Sequence, residues 1–196
     1  MKKSNILFSV AILVTLLFTA CEKDNLVDDG VVINGVKWAT RNVDKSGKFV
    51  ATSESDGKLY QWNRSKAWDN SSTSLIWNIN YESSTTWKAK NDPCPKGWRV
   101  PTYEELKTLL DNNVSNEWTT QNGVKGNLFT DFATGNSIFL PAAGKRNNSP
   151  SDVGTIGYYW SSNGDFLASY LYFDIYDTEV SVANKGFGFS VRCVAK

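Results

Sequence analysis

The chain has 196 residues, 21 basic and 20 acidic side chains, a formal net charge of +1, no histidine and three cysteines. So even a balance leaves no basic patch for nucleic acid and no charge run for a polyanionic partner. The missing histidine removes the usual general base, the commonest zinc ligand and every Ser-His-Asp or Cys-His arrangement.

Lys2 and Lys3 precede Ile6 to Phe18, a run apolar except at Ser9 and Thr15. Small residues Thr19 and Ala20 lead to Cys21. This pattern predicts a secretory signal over residues 1–20. The apolar run is shorter than the ~20 residues that cross a bilayer. LFTAC (Leu17 to Cys21) resembles the lipobox of bacterial lipoproteins, in which the chain is cut before the cysteine and the thiol is acylated. Phe18 stands where leucine is more usual. The resemblance implies lipidation of Cys21, a tether over residues 21–30 and a membrane partner reached through the anchor. It also implies a bacterial cell-envelope location, at the outer membrane. CEKDN after the cut is similar to the acidic export signals of surface lipoproteins. The plainer alternative is an ordinary cleaved signal with Cys21 incidental.

With Cys21 assigned to lipid, Cys94 and Cys193 permit one pairing. An oxidising compartment makes a disulfide the expectation, with two free buried thiols or half of a metal site as alternatives.

VVINGVKW (Val31 to Trp38) sets two apolar runs around Asn34-Gly35, a strong hairpin signal. KLYQW (Lys58 to Trp62) predicts a strand after the Asp56-Gly57 turn. Residues 63–92, rich in Ser, Asn, Thr and Trp, read as a long loop. Pro101 then holds Val100 extended, and Thr102 with Glu105 makes a T-x-x-E capping box. Tyr103, Leu106, Leu109 and Leu110 follow at helical spacing and predict one amphipathic helix. Glu104 and Glu105 read as first-turn structural carboxylates.

Strands are predicted over Ser137–Leu140, Tyr158–Ser161, Ser169–Ile175, Glu179–Val182 and Phe187–Val194. Alternation in the last puts Phe187, Phe189, Val191 and Cys193 on one face, with the disulfide in the core. One helix, many short strands and long loops describe a single α+β domain over residues 31–196.

Six blocks occur in order: INGVKWATRNV (33–43), LYQWN (59–63), NDPCPKGWRVPTYEEL (91–106), FLPAAGKRN (139–147), GYYWSS (157–162) and GFSVRCV (188–194). Together they resemble the FISUMP domain, a family of secreted and lipoprotein domains of bacteria. The resemblance implies a C-type-lectin-like fold, distantly similar to the formylglycine-generating sulfatase-modifying fold. Those relatives need reactive cysteines, whereas both cysteines here are better explained as the expected bridge, so that activity is not expected to carry over. The family brings no assigned activity, and fold alone licenses none.

We therefore expect no catalytic residues, no cofactor and no metal. Asp111 to Asn113 and Asn147 to Asp152 are oxygen-rich but lack calcium-loop spacing. Asp152, Asp165 and Asp174 are the carboxylates a hydrolase would use, without distinctive pairing. Eight Trp and eight Tyr are the stronger clue. Trp62, Trp98 and Trp160 read as core. Trp68, Trp77 and Trp87, in the polar loop, are candidate ligand-binding residues, because aromatic rings beside amides and hydroxyls suit sugars or protein partners. Tyr170, Tyr172 and Asp174 share a second candidate face, opposite apolar Leu171, Phe173 and Ile175; an ordinary solvated sheet face is the alternative. Arg146 reads either as a ligand-facing cation or as a loop anchor. The expected function is a noncatalytic binding or adhesion module for glycan or protein. The alternatives are a structural subunit of an envelope assembly and a carboxylate hydrolase.

Overall fold

The structure, a computed structural model, describes residues 27–70 and 83–196; the expectations for Cys21 and Trp77 lie outside the described residues. Val31–Ile33 (β1) and Val36–Asn42 (β2) pair through Asn34-Gly35, whose φ angles are 45° and 79°. Those positive values are what a tight two-residue hairpin turn demands. Leu59–Gln61 (β3) pairs with Ala67–Trp68 (β4). A 3-10 turn at Ala89–Asn91 and a short strand, Trp98–Arg99 (β5), lead to helix Tyr103–Thr108 (α1).

Val114–Gln121 (β6) and Val124–Asp131 (β7) make the longest unbroken hairpin, and Ser137–Pro141 (β8) adds to its second strand. Lys145–Asn147 (β9) folds back on Ser149–Ser151 (β10). Gly157–Gly164 (β11), Ala168–Phe173 (β12) and Thr178–Ala183 (β13) form a meander. Gly188–Phe189 (β14) and Arg192–Ala195 (β15) end the chain. The four sheets run β1-β2-β15-β5, β10-β9-β14-β3-β4, β11-β12-β13 and β6-β7-β8. Among the described residues no helix is long and apolar enough to cross a membrane.

The expected α+β, C-type-lectin-like class with one clear amphipathic helix is overturned. The fold is β-rich and mostly antiparallel, and its helix has six residues. A helix that short closes too few i→i+4 bonds to form a layer of its own. It is nonetheless well begun. Thr102 Oγ1 accepts from Glu105 N at 3.2 Å, and Glu105 Oε2 accepts from Thr102 N at 2.7 Å. Arg99 grips the same carboxylate at 2.5 and 2.7 Å.

The central meander separates two apolar clusters. Tyr159, Leu171 and Phe173 point to one side, with Trp38, Leu106, Leu109, Phe129 and Leu140. Tyr158 and Trp160 point to the other, with Tyr60, Trp62, Trp87, Phe189, Val191 and Cys193. The predicted last strand is broken. Ser190 and Val191 carry the chain from β14, in one sheet, to β15, in another, and Ser190 bonds the backbone of β11 through Tyr158 and Trp160 on the way. Its apolar residues still gather in the second cluster, with Phe187 packed against it. There Cys193 is disulfide-bonded to Cys94, their Cα atoms 6.0 Å apart. Asp92 holds the Cys94 segment from both ends, accepting from Cys94 N at 2.9 Å and Val100 N at 3.2 Å.

Candidate functional site

The β11–β12 register sets Tyr158 opposite Tyr172 and Trp160 opposite Tyr170. Side chains alternate across a sheet, so all four aromatics share the second cluster's face. Tyr158 is buried, while Tyr170 and Tyr172 are half-buried. Their ring centroids lie 5.8 and 5.9 Å from that of Tyr158, and Tyr170 lies 4.8 Å from Phe189. The face is therefore neither a fully solvated sheet surface nor closed core. Ile175 departs from the expected pattern: β12 ends at Phe173, and Ile175 stands exposed in the turn that follows.

Charged groups rim the tyrosines. Tyr158 Oη donates to Asp152 Oδ2 at 2.9 Å, and Lys145 Nζ reaches both oxygens at 3.1 Å. Tyr172 Oη donates to Asp174 Oδ2 at 2.6 Å. Asp174 Oδ1 caps the turn, accepting from Tyr176 N at 2.7 Å and Asp177 N at 2.9 Å. Partial burial pushes the Asp152 carboxyl up, but hydrogen bonds from Lys145 and Tyr158 outweigh it and hold the group below its ordinary value. The Tyr172 hydroxyl likewise holds the Asp174 carboxyl low. The phenols move the other way: burial, then Asp152, raises Tyr158, and the bond to Asp174, then burial, raises Tyr172. At neutral pH the patch thus offers ionised carboxylates, protonated phenols and ring faces in fixed positions. Such groups suit hydrogen bonding and stacking. They suit proton transfer poorly, because each is stabilised in its resting protonation state.

The other sequence candidates disperse. Trp87 is buried against Trp62, with centroids 5.8 Å apart, and its Nε1 donates to Asn91 O at 3.0 Å; it packs the core. Trp68 is half-buried, with Lys66 Nζ 4.0 Å and the Arg146 guanidinium 5.8 Å from its ring. Arg146 is buried and donates to Asp69 O at 2.7 Å, so it anchors the loop. The cation at the tyrosine face is its neighbour Lys145. Alternation along β9 was the available signal, since adjacent residues face opposite ways. Tyr158 and Asp152 join the face too, although neither stood out there as a binding residue in the sequence. Asp165 lies in the β11–β12 turn, at the opposite end of β12 from Asp174, so of the three hydrolase candidates only Asp152 and Asp174 rim the tyrosine face. Among the described residues no three His, Cys, Asp or Glu side chains cluster as metal ligands. Asp111 serves its turn instead, accepting from Asn113 N at 3.0 Å.

No family model, curated protein or solved structure matches the chain.

Proposed function

We propose that this protein is a noncatalytic binding module of a bacterial cell envelope, attached by lipid at Cys21, whose tyrosine face takes a glycan or protein ligand. One observation carries the ligand reading: Tyr170 and Tyr172 are half-exposed among Lys145, Asp152 and Asp174, with the hydroxyls of Tyr158 and Tyr172 already directed onto the two carboxylates. Tyrosine supplies broad contact area with few rotamers to freeze, and its hydroxyl adds direction. A preorganised rim lowers the ordering cost of binding. The lipobox-like LFTAC and the six ordered blocks resembling the FISUMP domain support the envelope location.

The test is a glycan array together with a pull-down from envelope extract, using the purified protein. We expect one ligand class to be retained, and Tyr172→Ala to weaken it by about tenfold, the scale of one aromatic contact point. Silence in both formats overturns the binding reading. Cys21→Ser should move the protein from the membrane fraction to the soluble one; continued membrane retention would refute the anchor.

A further inference from the structure

A strand at the edge of a sheet leaves a row of backbone donors and acceptors open to another chain, and folds usually blunt such edges. This fold blunts most of its own. β1, β4, β5 and β10 are two or three residues long, and β10 carries Pro150. β11 is covered where Ser190 bonds Tyr158 and Trp160, and where Trp87 N donates to Ser162 O. β13 is different. It closes the meander with six residues paired to β12 in unbroken register, without lysine, proline or bulge. Among the described residues no backbone hydrogen bond reaches its outer side.

The apolar surface points to the same edge. More than half of the large apolar side chains that stand exposed among the described residues are Phe166, Leu167, Ile175, Tyr176 and Val182. Val182 lies on β13 itself. Ile175 and Tyr176 belong to the turn that enters the strand at Thr178, and Tyr176 is 92% exposed. Phe166 and Leu167 belong to the turn at the opposite end, beside the Ala168–Ala183 pair, and Phe166 is 78% exposed. An open edge with apolar groups at both ends has the character of an interaction surface. β6, the other long edge, exposes only polar side chains along its length, Asn116, Glu117 and Thr120.

We infer that β13 pairs antiparallel with β13 of a second copy of this chain, joining two meanders into one six-stranded sheet. The occupant is a copy because the edge matches itself. A two-fold axis normal to the sheet exchanges the strand's ends. The Ile175–Tyr176 turn of each copy then comes to the end of the strand where Phe166 and Leu167 of the other stand, so both apolar turns are covered at once. Paired side chains share a face, so the axis passes through a residue. Centred on Glu179, it would set two carboxylates opposite each other. Centred on Ser181, it leaves each Glu179 opposite Ala183. Centred on Val180, it sets Val180 against Val180, Thr178 against Val182 and Glu179 against Ser181, a carboxylate facing a hydroxyl in both halves. Val180 is only partly buried against the first cluster, which leaves it a side for its counterpart. The inference does not depend on the tyrosine face.

The test is a set of introduced cysteines in the purified full chain under mild oxidation, read on non-reducing gels with the parent as background; Cys94 and Cys193 are already bridged. Val180→Cys meets its own counterpart at about 4.5–5.5 Å between Cα atoms, a disulfide distance, and should give a covalent dimer. Val182→Cys stands about 14 Å from its counterpart, four residues out of step. Alone it should stay monomeric, and mixed with Thr178→Cys it should form the dimer. In the Val180→Cys background, Ser181→Glu sets like charges opposite each other and should cut the dimer yield about tenfold. Adding Glu179→Lys should restore it. The inference is overturned if Val180→Cys stays monomeric, if Val182→Cys alone or Glu117→Cys on β6 dimerises as readily, or if Ser181→Glu changes nothing. A mixed disulfide with another protein that displaces the dimer in envelope extract would give the edge to that partner and overturn the inference too.

Discussion

Arg192 is the most demanding single residue in the fold. It is buried, and among the described residues no carboxylate lies within ion-pair distance. Its guanidinium instead donates to Asn42 Oδ1 at 2.9 Å, Ala39 O at 3.2 Å and Phe139 O at 3.0 Å. Burial pushes its pKa down to about 10, which leaves it charged at neutral pH. A planar fork spreads its donors over three nitrogens and so reaches separate acceptors on two neighbouring strands, β2 and β8, from a third, whereas an ammonium gathers all its donors on one atom. Arg192→Met would keep the volume and strand all three acceptors. At 1–3 kcal/mol for each stranded buried group, partly relieved by relaxation, the expected cost is about 3 kcal/mol. Urea unfolding of parent and variant measures it. A loss below about 0.5 kcal/mol, the size of an ordinary surface substitution, would mean that the network is not holding the three strands together.

At the scale of elements, the helix shows how local signals are read and global ones missed. Its cap was legible because Thr102, Glu105 and Pro101 act within one turn of chain. Thr102→Ala should therefore cost about 1 kcal/mol, read as a shift in denaturation midpoint. Its acid dependence follows from Glu105. Burial raises that carboxyl, but bonds from Arg99 and Thr102 outweigh it and leave the pKa lowered from 4.5. A lowered folded pKa gives stability that is present above the unfolded value and lost as pH falls through the folded one. The gap in melting temperature between the parent and Glu105→Gln should hence narrow as pH drops below 4.5, and a gap constant to pH 3 would refute the assignment. The β6–β7 hairpin was the larger miss, and it tips the fold from α+β to β-rich. Ser115, Asn116, Glu117, Thr119 and Thr120 sit on an edge strand, so no apolar alternation marks them. Asn122-Gly123, with φ 48° and 83°, carries the same turn signal as Asn34-Gly35. The break at Ser190 had no local mark at all, because it depends on which sheet receives each half.

Across the whole molecule, the motif blocks and the core largely coincide: Trp38, Tyr60, Trp62, Val100, Leu106, Leu140, Tyr159, Trp160, Phe189 and Val191 all lie in them and are buried. The blocks are therefore largely core sequence, whereas the tyrosine face did not emerge whole. Lys145, Asp152 and Tyr172 come from three segments that only tertiary pairing joins. The disulfide belongs to this scale as well. It spans 99 positions and ties the segment ahead of β5 to β15, the strand that β5 pairs with. Those two strands share two paired positions, Val194 with Arg99 and Ala195 with Trp98, beside the pairing of β15 with β2 on its other edge. Closing so long a loop restricts the unfolded chain by about 4–5 kcal/mol on the chain-entropy account. Cys94→Ala with Cys193→Ala should accordingly lower unfolding free energy by about 2–5 kcal/mol and increase the urea m-value, because the unlinked chain expands further on unfolding. If the bridge works mainly on the folded state instead, amide exchange in the double variant would quicken around β5 and β15 alone while the m-value stayed fixed.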